Sequence, residues 1–126
     1  MSEIVWITRE YAEAIHDRQL AEHGGGTGIR DAGLLESASA RPQNLLHCGE
    51  PDLAALAAAY AFGIARNHPF IDGNKRTAWV AARLFLRLND AVLTFDKAEA
   101  TVMMQRLAAS ELGEDVVATW FRERLT

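Results

Sequence analysis

A short segment in the middle of the chain concentrates the side chains that could do chemistry. Residues 66–76 read Arg-Asn-His-Pro-Phe-Ile-Asp-Gly-Asn-Lys-Arg and stand between two strongly apolar stretches. Pro69 disfavours the helical conformation at His68, so one helix should end there, and another should begin near Gly73. A helix start carries unpaired N–H groups and the positive end of the helix dipole, which together attract anions. The segment therefore predicts an anion site at the start of the second helix.

Charged residues in the first turn of that second helix indicate which anion it binds. Lys75 and Arg76 are cations at the helix end that disfavours positive charge. We expect an anionic ligand to offset them, and phosphate is the natural candidate. Gly73 would let such a ligand approach the backbone closely. Asp72 supplies a hard carboxylate oxygen for a magnesium ion that neutralises the phosphate.

His68 lies beside this anion site and could act as a base. A neutral histidine that takes a proton in the transition state typically contributes about 10²–10⁴-fold in rate. A base, a metal carboxylate, a helix start and two cations together suit the transfer of a phosphate-bearing group onto a hydroxyl. Taken alone, His68 could be a structural histidine, and Asp72 could be a helix cap.

Helical patterns on both sides of the segment must position these groups. The helix whose start is marked by Pro51 is apolar nearly all round, which predicts that it is the central buried helix. Ile4–Ile7 and Ala91–Phe95 read as short extended segments, and Gly24–Gly28 as a loop. The predicted fold is all-α, with about six helices and minor β content. The predicted helices run from Thr8 to about His23, from Asp31 to Ala40, from Pro51 to near Asn67, from Gly73 or Asn74 to about Asn89, from Asp96 to about Ala109, and from Asp115 to Leu125.

Composition sets the broad class of protein. A chain of 126 residues has the size of one domain, so residues 1–126 are predicted to form a single domain. An apolar share of 49% with 24% charged residues is an ordinary globular mix. The net charge of −4 argues against direct nucleic-acid binding, and the single cysteine, Cys48, excludes an internal disulfide framework. No apolar run reaches membrane-spanning length, and we expect a cytoplasmic protein without membrane contact.

The segment His68–Arg76 resembles the signature of the Fic/Doc family, His-Pro-Phe-x-Asp/Glu-Gly-Asn-Gly/Lys-Arg, and matches every specified position. Most members have glycine in place of Lys75 and are AMP transferases, whereas lysine resembles the death-on-curing (Doc) toxin branch. Gly24–Pro42 also resembles that branch, while Pro69 and Gly73 resemble the wider Fic proteins. The resemblance covers nearly the whole chain. It implies an all-α Fic fold with a flap near Gly24–Pro42 that docks the target.

The resemblance also implies a role for each residue of the signature. His68 would deprotonate the target hydroxyl, and Asp72 would hold magnesium. The implied contacts to the phosphates of ATP come from Gly73, Asn74 and Arg76, with Lys75 beside them and Arg66 in a supporting role.

Doc-type members transfer the γ-phosphate of ATP to a threonine of elongation factor Tu and so stop translation. The long side chain of Lys75 would leave less room for an α-phosphate at the helix start. This is a physical reason for Doc-type members to bind the nucleotide in the orientation opposite to that of the AMP transferases. The resemblance therefore implies a toxin kinase of a type II toxin–antitoxin pair, bound by a small and partly disordered antitoxin. The alternatives are an AMP transferase that modifies a protein hydroxyl and a module that binds the antitoxin and modulates repression.

Two features outside the signature receive structural interpretations. Ser110-x-x-x-Glu114 resembles the inhibitory pattern of self-restrained Fic proteins, but Asp115 follows where that pattern has glycine or asparagine, so helix capping is preferred. The remaining histidines and the cysteine lack metal-ligand spacing, and we expect solvated or internally satisfied side chains. These residues are His16, His23, His47 and Cys48.

Overall fold

The computed structural model describes residues 3–126, and its architecture is a helical bundle. Two antiparallel bridges, Ile29 with Phe70 and Leu93 with Leu125, join extended segments of this part of the chain. The predicted all-α fold with minor β content is therefore confirmed. The helices are α1 (Arg9–His23), α2 (Ala32–Cys48), α3 (Leu53–Asn67), α4 (Asn74–Leu88), α5 (Lys97–Ala108) and α6 (Glu114–Arg122). None of them is long and apolar enough to cross a membrane.

Helix α3 lies at the centre of the bundle, as its apolar composition predicts. It contacts α2, α4, α5 and α6, and most of its residues are buried. Its small side chains let neighbouring helices come close: a Cβ added to Gly63 would lie 3.3 Å from the Cα of Ala38 in α2. Because α3 is held on several sides, its last turn gives a fixed starting point for the segment that follows.

Three predicted helix boundaries are wrong. Helix α2 continues through Pro42 to Cys48. A proline inside a helix loses one backbone hydrogen bond and crowds the preceding turn, and the burial of Pro42 offsets that cost. Helix α3 begins after Pro51, because the Asp52 carboxylate accepts the Ala55 N–H at 2.9 Å and caps the helix. Helix α6 begins at Glu114 and ends at Arg122, so it is shorter than predicted at its C-terminal end.

The N-terminal extended segment is held by side chains and does not form the predicted strand. The Asn89 amide accepts the Val5 N–H at 2.8 Å and donates to the Val5 carbonyl at 2.9 Å. The Tyr60 hydroxyl does the same for Ile7, at 2.9 and 3.1 Å. A polar side chain thus takes the place of a neighbouring strand at each point.

The capping interpretation of Ser110 is confirmed through its backbone: the Ser110 N–H donates to the Leu107 carbonyl at 3.1 Å and the Glu111 N–H donates to the Arg106 carbonyl at 2.9 Å, so two carbonyls at the end of α5 are satisfied. Helix α5 is capped at its end by Ala109, and α6 is capped at its start by Gly113. Ser110 lies between them in the left-handed region, with φ of 67°. Glu114 lies in the first turn of α6 and accepts a 2.6 Å hydrogen bond from Arg41 of α2.

Candidate active site

The connection between α3 and α4 carries the signature residues. His68 ends α3 in the left-handed conformation, with φ of 50° and ψ of 56°, and its N–H donates to the Ile64 carbonyl at 3.3 Å. Gly73 precedes α4 with φ of 77°, a conformation that suits glycine. The helix end and the helix start that the sequence predicts are both confirmed.

The Asn74 side chain is committed to the shape of this connection. Its Oδ1 accepts the Phe70 N–H at 2.9 Å, and its Nδ2 donates to the Phe70 carbonyl at 2.9 Å. Both residues are buried. The side-chain amide of Asn74 therefore fixes the conformation of residues 70–74, and only its backbone N–H is available to a ligand.

The start of α4 has the features of an anion site. The first α-helical hydrogen bond runs from the Thr77 N–H to the Gly73 carbonyl at 3.0 Å. The N–H groups of residues 74–76 precede it and lack intrahelical acceptors. No side chain caps α4, whereas Thr8, Asp31 and Asp52 cap the first three helices. These N–H groups are directed where a phosphate could bind.

The two cations of the first turn are exposed and line a cavity. Within residues 3–126, neither Lys75 nor Arg76 forms a salt bridge with a carboxylate. The cavity has a volume of about 410 Å³, in the range of small-molecule sites. Its remaining lining is formed by Gln19, His23, Trp79, Val80, Phe95, Lys97, Ala100, Thr101 and Met104. Positive charge and an apolar wall thus meet at the start of α4.

The Asp72 carboxylate is exposed and held by backbone donors. Its Oδ1 accepts the Gly73 N–H at 2.8 Å, and its Oδ2 accepts the Gly26 N–H at 3.3 Å. A Cβ added to Gly25, which has φ of 124°, would lie only 2.7 Å from Oδ2. The glycine-rich loop therefore packs directly against this carboxylate.

The residues present fit a magnesium ion held mainly by phosphate. Within residues 3–126, no group of three or more histidine, cysteine, aspartate or glutamate side chains is arranged to hold a metal. Magnesium often takes one or two protein carboxylates and completes its coordination with phosphate oxygens and water. The exposed carboxylate of Asp72, one residue before the Gly73 cap of α4, matches that pattern.

Residues 24–31, here called the flap, pair with the signature segment. The N–H groups of Arg30 and Asp31 donate to the Pro69 carbonyl at 2.8 and 3.1 Å, and the Ile71 N–H donates to the Gly28 carbonyl at 3.1 Å. The Arg30 guanidinium donates to the carbonyls of His68 and Asn67 at 2.6 and 2.7 Å. The flap is shorter than the predicted region, since α2 begins at Ala32.

His16, for which the sequence predicts no functional role, packs against the connection between α3 and α4. It is buried, its ring stacks on Phe70 with centroids 3.8 Å apart, and its Nε2 lies 2.7 Å from the Asp72 carbonyl. A carbonyl can only accept, so Nε2 carries a proton. This confirms an internally satisfied side chain. His16 lies on the face of α1 that also buries Ala12 and Ile15, and this position in the helical pattern is the sequence feature that could have predicted its burial.

Arg66 lies in the last turn of α3, half-buried. Its guanidinium is 4.9 Å from the centre of the Phe62 ring, and Arg41 lies 5.3 Å from the same ring. Stacking on an aromatic ring leaves the donor edges of a guanidinium available. The supporting role of Arg66 at phosphate stays a prediction.

Comparison with known proteins gives one consistent result. The sequence profile of the Fic/DOC family matches residues 6–86, which include α1, the flap and the connection between α3 and α4. A toxin Doc from Mycolicibacterium smegmatis is 42% identical over 99 residues, covering 75% of this chain and 76% of that protein. The protein kinase doc of Escherichia phage P1 is 37% identical over 117 residues, covering 92% of each chain. On this evidence of sequence and fold, the chain belongs to the Fic/DOC family.

Proposed function

We propose that this chain is a toxin that transfers the terminal phosphate of ATP to a hydroxyl of a protein, and that a small antitoxin binds and restrains it. The observation that carries the proposal is the start of α4, where uncapped N–H groups lie beside Lys75 and Arg76. Similarity to one protein named a toxin and to another named a protein kinase supports the same function.

Each residue of the site has a role in this transfer. His68 accepts the proton of the target hydroxyl while the hydroxyl oxygen forms a bond to the terminal phosphorus of ATP. The bond from that phosphorus to the bridging oxygen breaks, and ADP leaves. Arg76 and the N–H groups of residues 74–76 bind phosphate oxygens, supported by Arg66. Gly73, whose N–H is held by the Asp72 carboxylate, lets the phosphate approach the backbone closely. Asp72 would hold magnesium, which neutralises phosphate charge when it is bound.

Lys75 favours transfer of the terminal phosphate. It lies in the first turn of α4 and lines the adjoining cavity, so its positive charge and long side chain are placed beside the helix start. Glycine at this position would leave more room for an α-phosphate. AMP transfer is the second candidate, favoured by Gly73, which has no side chain and so leaves the backbone at the helix start open to a phosphate.

Mass spectrometry of the modified target tests the proposal. Elongation factor Tu, the proposed target, is incubated with this chain and magnesium-ATP, and its intact mass is measured. We expect the addition of one phosphate. Addition of AMP would replace the kinase proposal by the second candidate. An unchanged mass, together with no transfer of label from ATP to any protein of a cell extract, would contradict both.

Removal of the Asp72 carboxylate should abolish the magnesium response. We expect Asp72→Asn, which keeps the size of the side chain, to lose at least about tenfold in rate, because a neutral amide is a weaker magnesium ligand. Rates are measured while magnesium is titrated into wild type and variant. Asp17→Asn, at an exposed position of α1, is the control. An unchanged magnesium response in Asp72→Asn would show that Asp72 only shapes the loop.

A further inference from the structure

His68 has an unusual backbone for a residue that must aim its side chain. It lies in the left-handed region, which few residues other than glycine occupy and which persists when surrounding contacts fix it. Its imidazole is exposed and forms no hydrogen bond with the rest of residues 3–126. The direction of the ring therefore depends on how the backbone of residues 67–69 is held.

Arg30 is the side chain that holds this backbone. Its Nε donates to the His68 carbonyl at 2.6 Å, and its Nη2 donates to the Asn67 carbonyl at 2.7 Å. These carbonyls belong to the end of α3, where helical acceptors are left without donors and a cation is favourable. The planar guanidinium suits two adjacent acceptors, which an ammonium group cannot match.

The backbone of Arg30 contacts the same turn. Its N–H and that of Asp31 both donate to the Pro69 carbonyl. Three consecutive carbonyls, at Asn67, His68 and Pro69, are thus bound by one short stretch of the flap. A side-chain substitution at Arg30 would release the first two and leave the third in place, so the flap should stay docked.

We propose that Arg30 is a positioning residue for His68: its guanidinium fixes the peptide groups on both sides of His68 and thereby the direction of the imidazole. The proposal rests on the proposed function, in which His68 is the base. Arg30 touches neither nucleotide nor target in this role. Its effect should appear in the rate of the chemical step and leave nucleotide binding unchanged.

The decisive measurement does not depend on activity. In ¹⁵N-labelled Arg30→Ala, we expect the backbone order parameter of His68 to fall from about 0.85 toward 0.6, while residues of α4 keep theirs. In Arg30→Lys, the order parameter of His68 should lie between those of wild type and Arg30→Ala, since a lysine can bind one carbonyl at a time. An unchanged order parameter at His68 in Arg30→Ala would overturn the proposal.

Kinetics give the second measurement. We expect Arg30→Ala to lower kcat by about tenfold to a hundredfold with KM for ATP nearly unchanged, and added guanidinium ion to restore part of the rate. Arg124→Ala is the matched control, because Arg124 donates to a carbonyl of α6 at 3.0 Å, far along the chain from the signature. A raised KM with unchanged kcat, or an equal loss in Arg124→Ala, would contradict a positioning role. An inactive wild type would contradict the proposed function instead, and the order parameter alone would then decide the role of Arg30.

Discussion

His68 and Asn74 belong to the same signature but have different roles, one in reactivity and one in the shape of the loop. The His68 imidazole is exposed and free to meet a substrate, whereas the Asn74 amide is buried and closes two hydrogen bonds with Phe70. A reactive group must stay accessible, and a loop with a fixed shape needs its polar groups paired. The two kinds of residue should therefore respond differently to substitution.

Substitution of His68 should separate activity from folding. We expect His68→Ala to lose about 10²-fold or more in the rate of transfer and to lose toxicity when expressed alone, because the base is removed. Its melting temperature should stay within a few degrees of wild type, because the imidazole is exposed. His47→Ala, at another exposed histidine, is the control. Continued killing by a folded His68→Ala variant would contradict the assigned role.

Lys75 should decide which part of the nucleotide is transferred. Wild type should move label from γ-labelled ATP to the target and none from α-labelled ATP. We expect Lys75→Gly to lose most of the phosphorylation, since the charge beside the helix start is gone, and to gain weak transfer from α-labelled ATP. Lys75→Ala keeps the helix propensity that glycine lowers by about 1 kcal/mol, so it separates the two effects. Transfer from α-labelled ATP by wild type would favour the AMP-transferase alternative.

At the scale of elements, the flap and the connection between α3 and α4 form one unit. The flap supplies N–H donors to Pro69 and to the Asp72 carboxylate, and it receives the Ile71 N–H at Gly28. Two peptide segments that bind each other in this way restrict each other's conformations. Changes in the flap should therefore reach the site even where they touch no ligand.

A side chain at Gly25 should disturb the carboxylate across from it. We expect Gly25→Ala to weaken the magnesium response about tenfold, because its Cβ would lie 2.7 Å from the Asp72 Oδ2. Gly24→Ala is the matched control: Gly24 also has a positive φ, of 76°, but a Cβ there meets no atom within 4 Å. Calorimetric titration of magnesium in the presence of ATP measures the effect. Equal responses of the two variants would show that backbone strain alone is responsible.

The predictable parts of this fold depend on local signals. The two helices around the signature follow from Pro69, from the glycine at position 73 and from apolar periodicity, which act over a few residues. The course of α2 past Pro42 depends on burial against other helices, which local pattern does not show. His16 and Arg30 were missed as supports of the site, because their partners lie 56 and 38 residues away along the chain.

At the scale of the whole molecule, Tyr60 links the central helix to the N-terminal segment. It is almost fully buried, its hydroxyl bonds both backbone groups of Ile7, and its ring lies 5.2 Å from that of Phe85 in α4. Burial raises the pKa of the Tyr60 hydroxyl to about 12, above the ordinary value of 10.0. The folded protein therefore keeps a proton that the unfolded chain gives up between these pH values.

Stability should fall in alkaline solution because of this tyrosine. The contribution of neutral Tyr60 is fully present below pH 10 and is lost as pH rises toward 12, a change of roughly 2–3 kcal/mol. Tyr60→Phe should be less stable near neutral pH, since two hydrogen bonds are lost, but its free energy of unfolding should fall less steeply above pH 10. Urea unfolding at a series of pH values measures both. Parallel pH dependences would contradict the assignment to Tyr60.

The docking of Arg30 also has a consequence for proteolysis. Residues 21–33 are all exposed, and the peptide bond after Arg30 is a trypsin site in the middle of that stretch. With its guanidinium and the N–H groups on both sides of this bond held by residues 67–69, the chain cannot extend into a protease cleft. Cleavage at this bond thus requires the flap to leave the signature segment. When trypsin is abundant enough to cut before the flap docks again, the rate of cleavage at this bond equals the rate at which the flap leaves the signature segment.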